Sequence, residues 1–250
     1  MPSVTRLTVF PIKSLDGMRL KEAEVLASGA LRHDRRYALQ DEAGRFVNAK
    51  RFAAVQRIRC EFDADAAAVL LACDGQQSTW FPLPQGAEEV GRWIGGRLSL
   101  VCTVVEDELR GLPDDTDAPG PTLISTASLE AIAQWFDLNL DETRRRMRAN
   151  IEIDAPEPFW EDRLVGREVQ LGALRLLPTG VCQRCAVPAR DSQTGEPTPG
   201  FQKKFAARRE ACLPEASPRG VFNHFYRAAL NTRLASQPGV LRVGDVLSFV

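Results

Sequence analysis

Two cysteines separated by two residues form the densest group of chemically capable side chains in the sequence. Cys182 and Cys185 enclose an arginine, and a nearby guanidinium favours the thiolate, which is both nucleophile and metal ligand. Taken alone, the spacing is compatible with thiol–disulfide exchange or with ligation of a soft metal. It is also compatible with half of a zinc site completed by Cys212 and His224, and with two buried small side chains that do no chemistry.

The context of this Cys-x-x-Cys segment weakens two of these interpretations and leaves all four open. Thiol–disulfide exchange is typical of a motif near a β-α-β pattern, whereas the surrounding sequence indicates strands. A zinc site normally has a second close ligand pair, but Cys212 and His224 are twelve residues apart.

Three basic segments could hold an anion. A turn after the first predicted strand carries Lys13 and Ser14, whose ammonium and hydroxyl donors suit a phosphate. Asp34 could orient Arg35 for a two-pronged contact with an anion. The four arginines of segment 144–148 could neutralise a multiply charged ligand, although such runs usually indicate a solvated face. Alternatively, Lys13 and Ser14 lie in an ordinary solvated turn, and Asp34 and Arg35 form a weak surface ion pair.

The elements that must position these residues are mostly strands. Alternation and turn signals predict strands over 4–12, 19–26, 36–40, 45–49, 56–62, 67–73, 98–105, 150–153, 163–171 and 174–177, with a terminal hairpin over 241–249. Helical spacing predicts helices over 88–94, 129–136, 141–146 and 201–211. The acidic, proline- and glycine-rich segment 106–121 predicts a linker or a long functional loop. We therefore expect two domains, residues 1–110 and 111–250.

Composition limits the class of protein. The chain has 250 residues, 44% of them hydrophobic and 26% charged, as is usual for a globular protein of one or two domains. A net charge of −1 argues against a nucleic-acid partner, and two histidines supply little histidine-based catalysis. No apolar run predicts a membrane span, and the first residues do not resemble a signal peptide. We therefore expect a cytoplasmic protein in which the six cysteines do not form a disulfide framework.

Taken in chain order, these segments resemble the MOSC-domain proteins that begin with a MOSC N-terminal β-barrel domain. The resemblance extends to the molybdenum-cofactor enzymes of the mitochondrial amidoxime-reducing component type and their bacterial relatives. It covers nearly the whole chain, although each motif alone is weak. The matching motifs are Phe10-Pro11-Ile12-Lys13-Ser14, Asp34-Arg35, Arg148-Ala149-Asn150-Ile151, Cys182-Gln183-Arg184-Cys185 with 191–195, and Val243-Gly244-Asp245.

The resemblance implies site residues when it is carried over position by position. Cys185 matches the cysteine that ligates molybdenum, and it is the implied catalytic residue. Lys13, Ser14 and Arg35 match positions that hold the phosphate end of the pterin cofactor. The other implied cofactor contacts are Asp117, Arg148, Asn150, Gln183 and Arg184.

The resemblance also implies the fold and the activity. The expected fold is mainly β with some helix (α+β), an N-terminal β-barrel-like domain followed by a MOSC β-barrel domain. The expected activity, with bound molybdenum cofactor (Mo-molybdopterin), is reduction of N-hydroxylated compounds such as amidoximes and hydroxylamines, or of related N- or S-oxides, by oxygen-atom removal. A separate flavoprotein or iron–sulfur protein would donate electrons. The alternative is a non-enzymatic carrier of molybdenum cofactor or sulfur; pyridoxal phosphate binding is not expected.

Overall fold

Sixteen strands and four α-helices form the regular structure of residues 1–250 in a computed structural model. The strands are β1 (Val4–Val9), β2 (Met18–Leu20), β3 (Glu22–Val25), β4 (Tyr37–Gln40), β5 (Arg59–Phe62), β6 (Ala68–Cys73), β7 (Gln76–Gln77), β8 (Phe81–Pro82), β9 (Thr103–Glu106), β10 (Leu123–Ser125), β11 (Ile151–Ile153), β12 (Val169–Leu171), β13 (Leu174–Gln183), β14 (Arg227–Leu234), β15 (Gly239–Arg242) and β16 (Leu247–Phe249). The helices are α1 (Ala87–Leu98), α2 (Thr126–Phe136), α3 (Leu140–Met147) and α4 (Phe201–Ala211). This content confirms the predicted α+β class.

The largest sheet joins the beginning of the chain to its C-terminal half. Its eight strands follow the order β16-β12-β13-β14-β10-β11-β1-β2, and only β10 and β11 run parallel. The order is open rather than a closed barrel. Closure would need strands paired along a common edge, whereas the start of the chain meets the segment before β16 at one isolated bridge, Ser3 with Val246. Smaller sheets pair β15 with β3, β4 with β9, and β6 with β5, β7 and β8.

The large sheet covers a hydrophobic core to which both ends of the sequence contribute. Val4, Leu7 and Val25 from the first strands pack there with Ile151 and Leu230 from the C-terminal half. Their alternating exposure along the strands explains why apolar residues occur at every second or third position. The first residues of the chain therefore share a core with its last hundred, and the division into residues 1–110 and 111–250 remains a proposal.

A second core belongs to the middle of the N-terminal half. Ile12, Leu39, Ile58, Leu71 and Ile94 are fully buried in it. A third core lies among the helices and joins α2, α3 and α4 through apolar and aromatic side chains. These three cores define the molecule's layers.

The chain passes repeatedly between the first two cores. It enters the second core between Val9 and Ile12, returns to the first, and crosses again between Leu31 and Tyr37. It crosses back once more in the long segment between Cys102 and Leu123. Phe10, Asp34-Arg35 and the acidic segment all lie at these crossings, so the candidate anion-binding residues meet at the boundary between cores.

Local signals place α2 and α3 where expected. The Ser125 hydroxyl accepts a hydrogen bond from the Ser128 backbone N–H at 3.1 Å, and the Asn139 side chain accepts one from the Glu142 N–H at 2.8 Å. Such caps satisfy N–H groups that have no partner in the first helical turn. No helix of the chain combines the length and apolar character needed to cross a membrane.

Several predicted strands are wrong or misplaced. Residues 45–49 form one isolated bridge, Phe46 with Gln40, rather than a strand, and the chain turns where the Asn48 side chain accepts from the Lys50 and Arg51 backbone N–H groups at 3.1 Å. Helix α1 runs to Leu98, so the strand predicted at 98 begins at Thr103. The strand predicted from 163 begins at Val169, because Trp160–Leu164 is a 3₁₀-helix. Strand β14 has no counterpart in the sequence prediction.

Candidate functional site

A cleft of about 710 Å³ opens at the boundary between the cores. All nine site residues implied by the sequence line it, although they come from separate stretches of the chain. These residues are Lys13, Ser14, Arg35, Asp117, Arg148, Asn150, Gln183, Arg184 and Cys185. The fold therefore brings the separate motifs together in one concave site.

Lys13 lies in the turn after β1 and is held by the chain itself. Its backbone N–H donates to the Tyr37 carbonyl at 2.8 Å. Its ammonium donates to the carbonyls of Leu112 at 2.8 Å and Pro113 at 3.3 Å and pairs with Asp114 at 2.9 Å. Burial lowers the pKa of Lys13, and the charge of Asp114 partly offsets this effect. All three N–H donors of the ammonium thus have partners in one loop.

Three of the nine residues have left-handed backbone conformations that L-amino acids avoid. Ser14 has φ 72°, Arg35 has φ 51° and Arg148 has φ 52°. Each such conformation costs about 1–2 kcal/mol relative to the right-handed region, and strain of this kind is concentrated at functional sites. The hydroxyl of half-buried Ser14 makes no hydrogen bond within the chain, so it remains available to a ligand.

Arg35 is oriented by its sequence neighbour. Asp34 forms an ion pair with the Arg35 guanidinium, and its other oxygen accepts the Phe10 backbone N–H at 2.9 Å. The guanidinium lies over the Phe10 ring, 5.2 Å from the ring centre. Arg35 is thereby fixed against the turn that carries Lys13.

Arg148 lies over the same Phe10 ring as Arg35. Its guanidinium lies 4.1 Å from the centre of Phe10 and donates to the Leu15 carbonyl at 2.7 Å. Burial, with a smaller contribution from the Arg35 charge, lowers the pKa of Arg148 to about 10. The residue is still protonated at neutral pH, and two cations share one aromatic platform.

Asn150 ties the strands beneath the site together. Its Nδ2 donates to the Thr8 carbonyl at 3.0 Å, and its Oδ1 accepts from the backbone N–H and hydroxyl of Thr122 at 3.1 and 3.0 Å. Arg35 also reaches this oxygen, at 3.5 Å. Asn150 thereby links Arg35 to β1 and to the residue before β10.

Cys185 is the accessible thiol of the cleft. It follows the end of β13, is partly exposed, and its sulfur makes no hydrogen bond within the chain. Gln183 is exposed beside it. Arg184 donates to the Met147 carbonyl at 2.6 Å, while its buried Nε has no partner. The protein therefore presents a free sulfur next to an anchored guanidinium.

Cys182 has the opposite environment although it lines the same cleft. It is buried, and its thiol donates to the Asn231 side-chain oxygen. Burial raises the pKa of Cys182 to about 11. Asn231 in turn donates to Asp115 at 2.7 Å, so Cys182 takes part in holding the acidic loop.

Asp117 belongs to this acidic loop. Its side chain is exposed, its backbone N–H donates to Asp115 at 3.0 Å, and Arg233 donates to its carbonyl. The segment 106–121, predicted as a linker or functional loop, forms part of the lining of the cleft.

Four further cations that the motif comparison did not identify also line the cleft. Lys50 lies 3.5 Å from Asp114, Arg59 pairs with Asp16 at 3.0 Å, and Arg145 and Arg146 of the arginine run line the cleft as well. Lys50 and Arg59 lie in segments whose sequences carry no recognisable site signal. Arg145 belongs to the arginine run, which was the only signal that could have pointed to it.

The solvated-face prediction for that run is wrong. Arg146 is 3% exposed and donates to Glu142 at 2.6 Å, and Arg144 pairs with buried Glu152 at 2.8 Å. Buried carboxylates on the same helix and on β11 supply these partners, and a sequence pattern alone does not reveal them.

The residues present fit an anionic group that contains a soft metal. Eight lysine or arginine side chains line the cleft against five aspartates, so its charge is positive overall. The buried Nε atoms of Arg59 and Arg184 have no partner within the chain. The free thiol of Cys185 can supply a thiolate, which is a ligand that soft metals prefer.

The four-ligand zinc interpretation is not supported by the geometry. Cys212 is exposed at the end of α4, where its sulfur faces the Arg209 carbonyl, and His224 accepts the Tyr226 backbone N–H. Neither residue lines the cleft, and the chain assembles no group of three or more His, Cys, Asp or Glu residues suited to a metal ion.

Comparison with protein families gives two matches that together span the chain. Residues 1–142 match the MOSC N-terminal beta barrel domain, and residues 121–248 match the MOSC domain. The curated relatives include molybdenum cofactor sulfurases from Drosophila willistoni, 25% identical over 234 residues, and from Caenorhabditis elegans, 23% identical over 223 residues.

These relatives are much longer proteins. The alignments cover 79% and 80% of this chain but only 28% and 30% of the two sulfurases. The chain thus spans about three-tenths of the curated relatives it matches. Among solved structures, the YUAD protein from Bacillus subtilis aligns over 99% of this chain and 94% of its own, with a TM-score of 0.48 and 11% identity. YiiM from Geobacillus stearothermophilus aligns over 52% of this chain and 54% of its own, with a TM-score of 0.36 and 14% identity.

Proposed function

The chain belongs to the proteins that combine a MOSC N-terminal beta barrel domain with a MOSC domain, and from that membership we propose that its cleft binds the molybdenum cofactor. We further propose that the protein reduces N-hydroxylated compounds. In this reaction two electrons and two protons convert an N–OH group into N–H and water, and the N–O bond breaks. The electrons come from a separate flavoprotein or iron–sulfur protein.

One observation carries the proposal. Nine residues chosen from separate sequence motifs line a single cationic cleft that contains a free thiol. An arrangement of surface turns and ion pairs without a common ligand would give no reason for such convergence. The left-handed backbones of Ser14 and Arg35, neither of which ends a helix, add support, because strain of this kind clusters at functional sites.

The chain's own residues would divide the work of binding. Lys13, Ser14 and Arg35 would hold the phosphate end of the cofactor, and Arg148 would add charge beside Arg35. Cys185 would ligate the metal as a thiolate. When bound, the cofactor supplies the two-electron redox chemistry of the reaction.

The protein would also hold this end of the site rigid. The Arg184 backbone N–H donates to the Tyr226 carbonyl at 3.1 Å, and the Tyr226 hydroxyl donates to the Cys185 carbonyl at 3.0 Å. These bonds hold the backbone of Arg184 and Cys185 against Tyr226. A fixed backbone would keep the Cys185 thiolate directed at the metal, so less conformational freedom would be lost on binding.

A second function is favoured by the similarity to molybdenum cofactor sulfurases. In this alternative the chain carries molybdenum cofactor or sulfur through Cys185 and passes it on without catalysing a reduction. The same cleft and the same thiol would serve both functions, so the two differ in how long the cofactor stays and in whether substrate is consumed.

Elemental analysis combined with turnover separates the two functions. The protein is purified from a host that makes molybdopterin, and molybdenum and pterin are measured per chain. About one of each, with reductant-dependent consumption of an amidoxime, supports the reductase. Cofactor that is lost on dilution, with no turnover from artificial electron donors, supports the carrier. A sample that takes up neither molybdenum nor pterin contradicts both.

A further inference from the structure

Two arginines from different parts of the chain converge on one buried serine at the side of the cleft. Arg59, at the start of β5, donates from Nη2 to the Ser192 carbonyl at 3.0 Å. Arg145, on α3, donates from Nε to the Ser192 hydroxyl at 2.9 Å. Ser192 is 7% exposed, and all three residues line the cleft. The shared serine therefore holds the two guanidinium groups close together.

The serine is itself held firmly. Its hydroxyl donates to Glu142, and its backbone N–H donates to the same carboxylate at 2.9 Å. Burial raises the pKa of Glu142, but hydrogen bonds from Ser192 and the pairing with Arg146 outweigh it, so the pKa lies below its ordinary value. Glu142 stays ionised and keeps the turn that carries Ser192 against α3.

The two arginines retain unused donors. Arg59 pairs with Asp16 through Nη1 at 3.0 Å and donates from Nη2 to the Gln56 carbonyl as well as to Ser192, but its buried Nε makes no hydrogen bond. Arg145 pairs with Glu142 through Nη2 at 3.0 Å, and its Nη1 makes no hydrogen bond within the chain. Glu142 is shared between Arg145 and Arg146, and Asp191 also pairs with Arg146 at 3.8 Å, so three carboxylates balance the charges of three arginines here. What the pair offers an anion is therefore its unused N–H donors beside Ser192.

We propose that Arg59 and Arg145 form an oxyanion-binding pair, separate from the cofactor residues, that holds a carboxylate of the substrate. This inference rests on the proposed reductase function and narrows its substrate class to N-hydroxylated compounds that carry a carboxylate. Planar guanidiniums suit a carboxylate because two parallel N–H groups match its two oxygens. The cofactor's phosphate has the same chemistry, so the test must distinguish the two sources.

The position of the pair separates it from the residues assigned to the cofactor. Arg35 and Arg148 stack on Phe10, and Lys13 lies over the Phe46 ring at 4.8 Å. Arg59 and Arg145 instead are tied to Ser192. The two groups of cations therefore contact different side chains, Phe10 and Phe46 in one group and Ser192 in the other, as expected if two anions are bound.

The test compares two probes, an aryl amidoxime with a ring carboxylate and the same compound with an uncharged carboxamide. In Arg145→Gln protein we expect KM for the carboxylate probe to rise about tenfold or more, since a hydrogen bond to a charged group contributes about 1.5–3 kcal/mol. KM for the carboxamide and the molybdenum content should be unchanged. Arg175→Gln, which alters an exposed arginine paired with Glu168 outside the cleft, is the matched control.

Two outcomes would contradict the proposed oxyanion-binding pair. Equal KM changes for both probes would show that Arg145 does not contact the substrate carboxylate. A fall in molybdenum content would assign Arg145 to the cofactor instead. Arg59→Gln, whose side chain lies on a different element, repeats the test if Arg145→Gln fails to fold.

Equilibrium binding of the carboxylate probe separates failure of the pair from failure of the reductase. Suppose that the native protein turns over neither probe, so that the reductase function fails. The pair is still supported if calorimetry shows that the native protein binds the carboxylate probe and that Arg145→Gln weakens this binding. Equal binding of this probe to native and variant protein contradicts the pair, whatever the activity.

Discussion

The two walls of the cleft differ in how far their functional groups are already engaged. On the N-terminal wall, formed by Lys13, Ser14 and Arg35, both cations are paired with aspartates of the same chain. On the C-terminal wall, formed by residues 182–185, the thiol of Cys185 has no partner and lies partly exposed. Under the proposed function, the C-terminal wall would present a free thiol to the metal, whereas the N-terminal wall would have to exchange internal partners for an external anion.

The difference is clearest at Lys13. Its ammonium has three donors, and the loop 112–114 accepts all of them. Partial desolvation within the cleft raises the pKa of Asp114, although its side chain is still exposed, but the charge and hydrogen bond of Lys13 outweigh this, so the pKa is lowered. Under the proposed function, the acidic loop would therefore compete with the cofactor phosphate for Lys13.

The largest effect is expected on the C-terminal wall. Cys185→Ser should lose bound molybdenum and turnover, because a hydroxyl is a poor ligand for a soft site. Molybdenum per chain and amidoxime consumption are the measurements.

The matched control is Cys182→Ser, in which the hydroxyl can still donate to Asn231. This variant should keep both molybdenum and activity. Loss of molybdenum in Cys182→Ser with retention in Cys185→Ser would reverse the roles of the two cysteines.

A smaller loss is expected on the N-terminal wall. Arg35→Ala removes one charge-assisted contact of about 1.5–3 kcal/mol, so cofactor retention should weaken about tenfold to a hundredfold. Retention is measured as the rate of molybdenum loss on dilution, with thermal unfolding as the check on folding. Arg36→Ala is the control, because Arg36 pairs with Glu106 and does not line the cleft. Full retention in Arg35→Ala would exclude Arg35 from the site.

The competition proposed at Lys13 predicts that one substitution will increase the affinity for phosphate. Asp114→Asn removes the negative charge of an exposed partner, an interaction of about 0.2–1 kcal/mol, so inorganic phosphate should bind up to about five times more tightly to the cofactor-free protein. Titration calorimetry at two salt concentrations measures this, and the gain should shrink as salt screens the exposed pair. Unchanged or weaker binding would mean that Asp114 does not compete with the anion.

The smallest perturbation compares the two thiols without any substitution. Because burial raises the pKa of Cys182 to about 11, only about one part in a thousand is thiolate at pH 8. Peptide-resolved alkylation by iodoacetamide in cofactor-free protein should modify Cys185 and leave Cys182 intact at this pH. Modification of Cys182 should rise about tenfold for each pH unit up to about 11. Equal labelling at pH 8 would remove the contrast between the thiols.

Local patterns predicted the parts of the molecule that local forces determine. The alternation of β1, the capping serine of α2 and the general positions of α3 and α4 are readable because each depends on nearby residues. The candidate site residues came from motif resemblance, and the fold brings them to one cleft.

Features that depend on distant partners were not readable. The turn at Asn48 and the 3₁₀-helix before β12 replace predicted strands because side chains there have specific partners. Arg146 was expected on a wet face, but Glu142 neutralises it in the interior. The hold of the acidic loop on Lys13 joins residues about a hundred positions apart, and no sequence spacing reveals it.

The pairing of β1 with β11 has a practical consequence for dissecting the molecule. Residues 111–250 produced alone would leave β11 without its antiparallel neighbour and β15 without β3, exposing main-chain groups beside buried Ile151 and Ile153. Such a fragment would expose an unpaired strand edge at which other copies of the fragment could add strands and aggregate. Attempts to assign chemistry to either portion by truncation would then report on aggregation, and point substitutions in the intact chain are the sound route.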